Sequence, residues 1–204
     1  MRMLPTIILA AFSVVCLAQS ASASKIYRKD SFYTISGNTA AELDRSMSGR
    51  GPFLKTTGSR HPGATRLKFV PNIKLVKDGR YCKVARADID IQAKVLLPRW
   101  KQRNSTRSAE LAIIWDVLYR DIRRHEESHI IIARAHASEM EHAIRSLYYR
   151  KDCKELQADI NKVVNRIMRK QDRAQAYFER VETLNFEKRF SRLLNYRLQQ
   201  LEGK

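Results

Sequence analysis

The stretch Arg123–Ala137, RRHEESHIIIARAHA, lies inside a pattern that favours one long amphipathic helix. Apolar residues and histidines recur there at steps of three and four, which places them on a single helical face. That face comprises Leu111, Trp115, Leu118, Ile122, His125, His129, Ile132, His136 and Met140. Glycine and proline are absent between Arg99 and Glu202, so the sequence predicts two or three long helices in this half of the chain.

The residues after Met140 extend the helical prediction toward the C-terminus. A break is expected near Tyr148–Glu155, YYRKDCKE, before the pattern resumes. The second apolar stripe contains Ile160, Val163, Ile167, Ala174, Phe178, Val181 and Asn185.

Residues 25–100 show a different sequence pattern, with short runs that alternate apolar and polar residues as strands do. Thr65–Val76 and Tyr81–Pro98 are the clearest runs, and the intervening KDGR sequence predicts a hairpin turn between them. A short helix is expected to start at Thr39, because Glu42 follows three residues later as in a capping box.

The first 23 residues are typical of a secretory signal peptide. One charge, Arg2, precedes a short apolar run, and Ala21–Ala23 offers a small-residue cleavage site. The alternative is an uncleaved membrane anchor. The remaining residues, 24–204, are predicted to form a single α+β domain, because strands precede helices along the chain. Within it, residues 24–100 are the β-rich part and residues 105–204 the helical part.

His125, Glu126 and His129 form a His-Glu-x-x-His motif on the amphipathic helix. Two histidines one turn apart can both reach one zinc ion, which takes neutral imidazole nitrogens at about 2 Å. The glutamate lies beside that face, where it can accept a proton from metal-bound water as a general base. The alternative is a pair of partly buried histidines that only pack against a neighbouring element.

A third protein ligand is expected from a later helix. His136 shares the face of the motif histidines, but it lies about 10 Å further along the helix at 1.5 Å per residue. Helical phase places Glu182 beside the inward face of the second stripe and Glu179 away from it, so Glu182 is the predicted third ligand. The alternative for Glu182 is a surface ion pair with Lys188 or Arg189.

Three cysteines are present, and removal of the leader takes away Cys16. Cys82 and Cys153 remain as an even pair, which favours a disulfide in an oxidising compartment. Such a bridge closes a loop of about 70 residues and stabilises the fold by roughly 4 kcal/mol in the chain-entropy account. Two buried thiols are the alternative.

The chain is strongly basic, with a formal net charge of +18 that becomes +17 once Arg2 is removed. Nucleic acid is the usual partner of such a charge, but an exported protein seldom meets it. An anionic envelope surface is the better expectation, and a basic surface that serves only solubility is the alternative. After the leader, no segment has the length and hydrophobicity that predict a transmembrane helix.

Five features carry a family resemblance: Tyr33–Pro52, Thr65–Phe69, Cys82–Trp100, the HEESH motif and Cys153. Together they resemble a bacterial family of predicted secreted zinc-dependent proteases, catalogued as a domain of unknown function. The resemblance implies a zincin-like fold, with a small sheet beside the motif helix, and proteolysis at the two motif histidines and their glutamate. Some members carry a Thr-x-His-Gly element near the C-terminus, whereas Thr183–Phe186 of this chain, TLNF, contains no histidine. The resemblance therefore leaves the third ligand open.

The sequence thus favours a periplasmic or secreted zinc-dependent hydrolase, and a metallopeptidase above other hydrolases. Zinc-activated water would attack a peptide or protein substrate, with Glu126 as the base. The competing hypothesis is a non-catalytic basic envelope protein that binds a partner or an anionic surface, and whose metal site is structural or degenerate.

Overall fold

A computed structural model describes residues 24–55 and 58–203 of the chain. Its elements are β1 (Ile26–Ile35), α1 (Ala40–Arg50), β2 (Phe53–Leu54), β3 (Ser59–Arg60), β4 (Ala64–Asp78), β5 (Tyr81–Trp100), α2 (Ala109–Arg145) and α3 (Cys153–Glu202). Strands and a short helix precede two long helices, which confirms the predicted α+β class. The predicted signal peptide, residues 1–23, lies outside the described residues.

β5 is the central strand of a three-stranded sheet ordered β1-β5-β4. β1 runs parallel to β5, and β4 runs antiparallel to it through the predicted hairpin, where Gly79 takes a positive φ of 59°. β4 accommodates Pro71 because an edge strand has outer N–H positions that need no partner in the sheet. One face of β5 is apolar and buried. Its residues are Ile89, Ile91, Ala93, Val95 and Leu97.

α1 begins with the capping box that the sequence predicts. The Glu42 backbone N–H donates to Thr39 Oγ1 at 3.2 Å, and the Glu42 carboxylate accepts from the Asn38 N–H at 2.6 Å. The helix ends at Gly51, whose N–H donates to the Met47 carbonyl oxygen at 2.7 Å. α1 lies beside the first turns of α2, where Leu43 and Met47 share a hydrophobic cluster with Leu111 and Trp115.

α2 and α3 form a helical hairpin, and two helices account for the described C-terminal half. The break between them spans residues 146–152 and overlaps the predicted one. Ser108 caps α2 and Asp152 caps α3, each side chain accepting a hydrogen bond from a first-turn N–H group. Within the described ranges, neither helix is apolar enough over its length to cross a bilayer.

Two hydrophobic clusters hold α2 against the sheet. In the first, Trp100 of β5 and Trp115 of α2 meet edge to face, with ring centroids 5.9 Å apart. The second joins β5, α2 and α3. The motif His125–His129 lies between Ile122 of the first cluster and Ala133 of the second, so α2 is held on both sides of the motif.

Cys82 and Cys153 form the predicted disulfide, with Cα atoms 5.2 Å apart and a sequence separation of 71. The bridge joins the beginning of β5 to the first turn of α3. Beside it, Cys82 and Arg150 exchange two backbone hydrogen bonds of 2.6 and 3.0 Å. The closed loop contains α2 and its histidine motif, so the cross-link restricts the unfolded chain around the candidate site.

Candidate metal centre

The two motif histidines project from α2 toward α3 and bring their Nε2 atoms within 3.2 Å of each other. Their rings are nearly perpendicular, at 83°. Both contact Phe178 of α3, whose ring centroid is 5.0 Å from each imidazole centroid. Two nitrogen ligands of a tetrahedral zinc ion lie about 3.3 Å apart, so His125 and His129 already have the separation that a shared ion requires.

Glu179 of α3 completes a triangle of ligand atoms. Its Oε1 lies 3.0 Å from His129 Nε2 and 3.6 Å from His125 Nε2. Among the described residues, these three side chains are the group whose geometry could hold a metal ion. Hydrogen bonds with the two histidines hold the pKa of the Glu179 carboxyl well below its usual value, so Glu179 is an anion at neutral pH.

The expectation that Glu179 points away from the centre is wrong, because the inward face of α3 is polar at this level. When helical phase is taken from the apolar stripe, the inward face of α3 is centred on Phe178 and Val181. In the structure the face also carries a row of polar side chains, spaced by three and four residues. They are Gln171, which is buried, and Gln175, Glu179 and Glu182, which contact the motif region of α2.

The structure does not bring Glu182 to the Nε2 atoms, where a third ligand was expected. Glu182 accepts a hydrogen bond from Arg124 and forms an ion pair with Arg189 at 3.1 Å. It approaches His125 from the far side, with Oε2 3.4 Å from Nδ1. The alternative ion pair with Arg189 is therefore present, but it lies in the helix interface. A carboxylate at Nδ1 orients the ring and makes Nε2 a better ligand.

Gln175 fixes the position of the proton on His129. Its NH₂ group donates to the His129 carbonyl oxygen at 3.0 Å, which leaves its Oε1 facing His129 Nδ1 at 2.6 Å. An amide oxygen only accepts, so Nδ1 carries a hydrogen; Nε2 then presents a lone pair to the centre in the neutral imidazole and donates to Glu179 in the protonated one. Burial by itself lowers the pKa of His129, but hydrogen bonds with Glu179 and Gln175 outweigh burial and raise that pKa. The surroundings of Nε2 therefore favour a positive charge.

Glu126 turns from α2 toward β4. The residue is 3% exposed, and its Oε2 accepts a hydrogen bond from Thr65 Oγ1 at 2.7 Å. Burial raises the pKa of Glu126 above its usual value, against the opposing effects of the Thr65 hydrogen bond and the nearby imidazoles. Gly63 lies directly against the carboxylate, since a Cβ at that position would be 2.4 Å from Glu126 Oε1. The carboxylate is thus held on both sides and is easier to protonate than an exposed one.

Tyr33 of β1 lies near enough to Glu126 to be affected by its charge. Its hydroxyl donates to the Pro62 carbonyl oxygen at 2.8 Å. Burial, helped by the negative charge of Glu126, raises the pKa of Tyr33 to about 12. The phenol is therefore neutral and remains a hydrogen-bond donor at any physiological pH.

A buried ion network fixes α3 on α2 next to the centre. Asp121, with its side chain 3% exposed, accepts from Arg189 at 2.9 and 3.1 Å and from Arg124 at 3.0 Å. The same two arginines contact Glu182 on α3. Because Glu179 lies one turn before Glu182, this network also sets the distance of Glu179 from the histidines.

The sequence predicts a centre around His125 and His129 with Glu126 beside it. The structure places the Nε2 atoms of the two histidines 3.2 Å apart and turns the Glu126 carboxylate toward Thr65 of β4. Glu179 and Gln175 are not identified from the sequence as members of the centre. A usable signal exists in hindsight, because the glutamine and the glutamate follow each other at i and i+4 and so share one helical face.

Comparisons with the curated proteins and with the solved structures give no significant match. A family model does match residues 30–186, which is well over half of the 204-residue chain. The matched range contains α2 with its histidine motif and the part of α3 that carries Glu179. The chain therefore belongs to the family described as "Bacterial protein of unknown function (DUF922)".

Proposed function

We propose that this protein is a zinc-dependent hydrolase whose substrate is a peptide or protein. The observation that carries the proposal is the convergence of three electron-rich atoms, Nε2 of His125, Nε2 of His129 and Oε1 of Glu179. Their separations are 3.0, 3.2 and 3.6 Å. A proton on one nitrogen can bridge only one pair of these atoms, whereas a divalent cation attracts all three at once.

The donor set fits zinc in type, number and orientation. Two imidazole nitrogens and one carboxylate oxygen are ligands found in hydrolytic zinc sites, and three protein ligands leave a fourth position for water. The Nδ1 atoms of His125 and His129 have their own partners, Glu182 and Gln175, as the outer nitrogens of zinc-bound imidazoles usually do. When bound, zinc polarises a carbonyl group and makes its water more acidic.

Glu126 has the properties of the general base. Its burial raises its pKa, which brings its proton affinity closer to that needed for proton transfer near neutral pH. Thr65 Oγ1 donates to Oε2, and Oε1, the oxygen that lies against Gly63, would accept the proton from the attacking water. The same carboxyl group would then pass that proton to the departing amine, while the hydroxyl oxygen stays on the carbonyl carbon.

A peptide substrate is supported by the edge of the sheet beside Glu126. β4 pairs with β5 on one side only among the described strands, and its first residues, Ala64 and Thr65, adjoin the Glu126 carboxylate. An edge strand presents N–H and C=O groups that an extended peptide can pair with. A peptide held there would pass the candidate centre.

Export to the periplasm or beyond the cell belongs to the same proposal. The disulfide Cys82–Cys153 is of the kind that persists in oxidising compartments. The apolar leader predicted from residues 1–23 supports the same location.

A second candidate function is a non-catalytic envelope protein that binds an anionic surface. The open face of the sheet favours it, because Lys29, Lys94 and Arg66 lie in one row across the three strands and are all exposed. Like charges directly opposite on neighbouring strands destabilise a sheet unless an anion lies between them. In this case the metal centre would have a structural role or none.

The two functions are separated by proteolysis of an unfolded protein substrate, read as new amino termini by mass spectrometry. The hydrolase proposal expects cleavage that a chelator abolishes and added zinc restores. Glu126→Gln should fold and bind zinc but release no new termini above background. Cleavage by Glu126→Gln at the wild-type rate would contradict the assigned base, and absence of zinc-dependent cleavage across diverse unfolded proteins would leave the envelope function.

A further inference from the structure

A cavity of about 360 Å³ lies between α1, α2 and the outer half of α3. Its volume is within the range of about 300–1,000 Å³ that is usual for ligand pockets. Aliphatic and aromatic side chains form much of the wall, among them Leu43, Met47, Trp115, Leu118, Phe186 and Phe190. The cavity is therefore large enough and apolar enough to hold a bulky hydrocarbon group.

In one part of the wall, a residue that lines the cavity is followed directly in the chain by a residue that lies against the candidate base, Glu126. Pro62 lines the cavity, and the next residue, Gly63, lies against Glu126, where a Cβ would come within 2.4 Å of Oε1. Tyr33, whose pKa is affected by the Glu126 charge, donates its hydroxyl hydrogen to the Pro62 carbonyl oxygen at 2.8 Å. The cavity and the metal centre thus share the Pro62–Gly63 segment.

Both long helices lead from the candidate ligands to the cavity over the same distance. Leu118 lies two turns before His125 on α2, which is about 10 Å along the helix axis. Phe186 lies two turns after Glu179 on α3, which is again about 10 Å. An extended peptide advances about 3.3 Å per residue, so a side chain close to the bond at the metal centre can reach this space.

The cavity leaves apolar surface in contact with water. Phe186 is 39% exposed, although its ring stacks on Phe190 with centroids 5.8 Å apart. Removing such surface from water is favourable for any apolar group that fits. Asp44, Ser48, Arg60 and His61 add polar groups to the lining, but most of the wall surface is apolar, so a hydrocarbon side chain gains more from the cavity as a whole than a polar one does.

We propose that this cavity is the subsite for a bulky apolar side chain of the substrate, which makes the enzyme selective for peptides with leucine, methionine or phenylalanine within about three residues of the cut. The inference rests on the proposed hydrolase function for the reaction, but the binding of the side chain needs neither zinc nor catalysis. Its test can therefore fail or succeed independently of the hydrolase.

The binding test uses NMR of protein labelled at the methionine methyl carbons. Met47 lies in the cavity wall, and Met140 lies in the other hydrophobic cluster as an internal reference. The probes are N-acetyl-leucinamide, N-acetyl-phenylalaninamide and, as the small comparison, N-acetyl-glycinamide. We expect the first two to shift the Met47 methyl resonance and leave Met140 unchanged, with an affinity at least about tenfold above that of the glycine probe.

Two neighbouring alanines give a matched pair of variants. Ala40 and Ala41 are both exposed on α1, but only Ala40 is part of the cavity wall. Ala40→Phe should fill the space and weaken leucinamide binding by roughly tenfold or more, whereas Ala41→Phe should change it by less than about twofold. Circular dichroism would show that both variants keep the fold.

Equal effects of the three probes on Met47, or equal effects of the two alanine variants, would overturn the subsite. So would zinc-dependent cleavage of a peptide mixture without preference for a bulky apolar residue at any position within about three residues of the cut, and that result would not contradict the proposed hydrolase function. Selective leucinamide binding to a protein that takes up no zinc would support the cavity as an apolar side-chain site and reject the hydrolase.

Discussion

Replacing Asp121 by Asn is expected to loosen α3 from α2 beside the metal centre. Asp121 is nearly fully buried and accepts three hydrogen bonds, two from Arg189 and one from Arg124. Removing one member of a buried ion pair costs about 3–5 kcal/mol. The cost is reduced here, because Arg124 is 40% exposed and Arg189 keeps Glu182 as a partner. We therefore expect a loss of about 2–3 kcal/mol at pH 7.

The same carboxylate makes the loss depend on pH. Burial by itself raises the pKa of Asp121, but hydrogen bonds from Arg189 and Arg124 outweigh burial and lower that pKa below its ordinary value of 3.8. A lowered folded-state pKa means that the ionised group stabilises the fold above pH 3.8, and that this stabilisation disappears as the pH falls through the folded-state pKa. The difference in stability between wild type and Asp121→Asn should therefore be largest near neutral pH and shrink in acid.

Urea denaturation followed by circular dichroism at several pH values measures this effect, and thermal unfolding should show a fall of roughly 4–12 °C. Asp116→Asn is the matched control on the same helix. Asp116 pairs with Arg103 at 2.5 Å, but their side chains are 39% and 36% exposed, so its loss should stay below about 1 kcal/mol. Equal losses in the two variants would refute the reasoning that the Asp121 network holds the helix pair together.

Three further predictions concern the base, the cross-link and the basic face. Gly63→Ala places a methyl group 2.4 Å from Glu126 Oε1, so it should displace the carboxylate and reduce hydrolysis by about tenfold or more while zinc content is kept; wild-type turnover would contradict the assigned position of Glu126. Replacing both Cys82 and Cys153 by Ser should lower the free energy of unfolding by roughly 4 kcal/mol, as measured in urea, and an unchanged midpoint would show that the bridge adds no stability. Anionic vesicles should cosediment with the protein at low salt and release it near 1 M salt, where the Debye length is about 3 Å. Lys94→Glu should weaken this binding more than Lys162→Glu, because Lys162 is an exposed lysine on α3, away from the sheet face. Equal binding of the two variants would remove the open sheet face as the site.

Most of the fold can be predicted from the sequence, because hydrophobic alternation and helical periodicity report directly on buried faces. The hairpin at Gly79 and the capping box at Thr39 depend on local turn chemistry, which a sequence shows without tertiary contacts. The disulfide follows from an even pair of cysteines, Cys82 and Cys153, in a chain with a predicted leader.

The candidate centre is only partly visible in the sequence, because its second half lies on a polar helix face. His125 and His129 are found through a local spacing, and Glu126 comes with it. Glu179 and Gln175 meet the histidines across the helix interface, so their position depends on the rotation of α3 about its axis. The apolar stripe does not define that rotation where polar side chains face inward, and a shift of one residue turns a helix by about 100°.

Zinc content per chain, measured by elemental analysis after dialysis against zinc-free buffer, tests the central claim most directly. Wild type should retain about one zinc ion, and His125→Ala, His129→Ala and Glu179→Gln should each lose most of it, because two ligands do not hold a closed shell. Glu182→Gln is the matched comparison one turn further along α3. It should still bind one zinc ion, with an affinity lowered by about 10–100-fold because it supports His125 without touching the ion. Wild-type protein that takes up no zinc, or Glu179→Gln that holds zinc as tightly as wild type, would contradict the three-ligand centre.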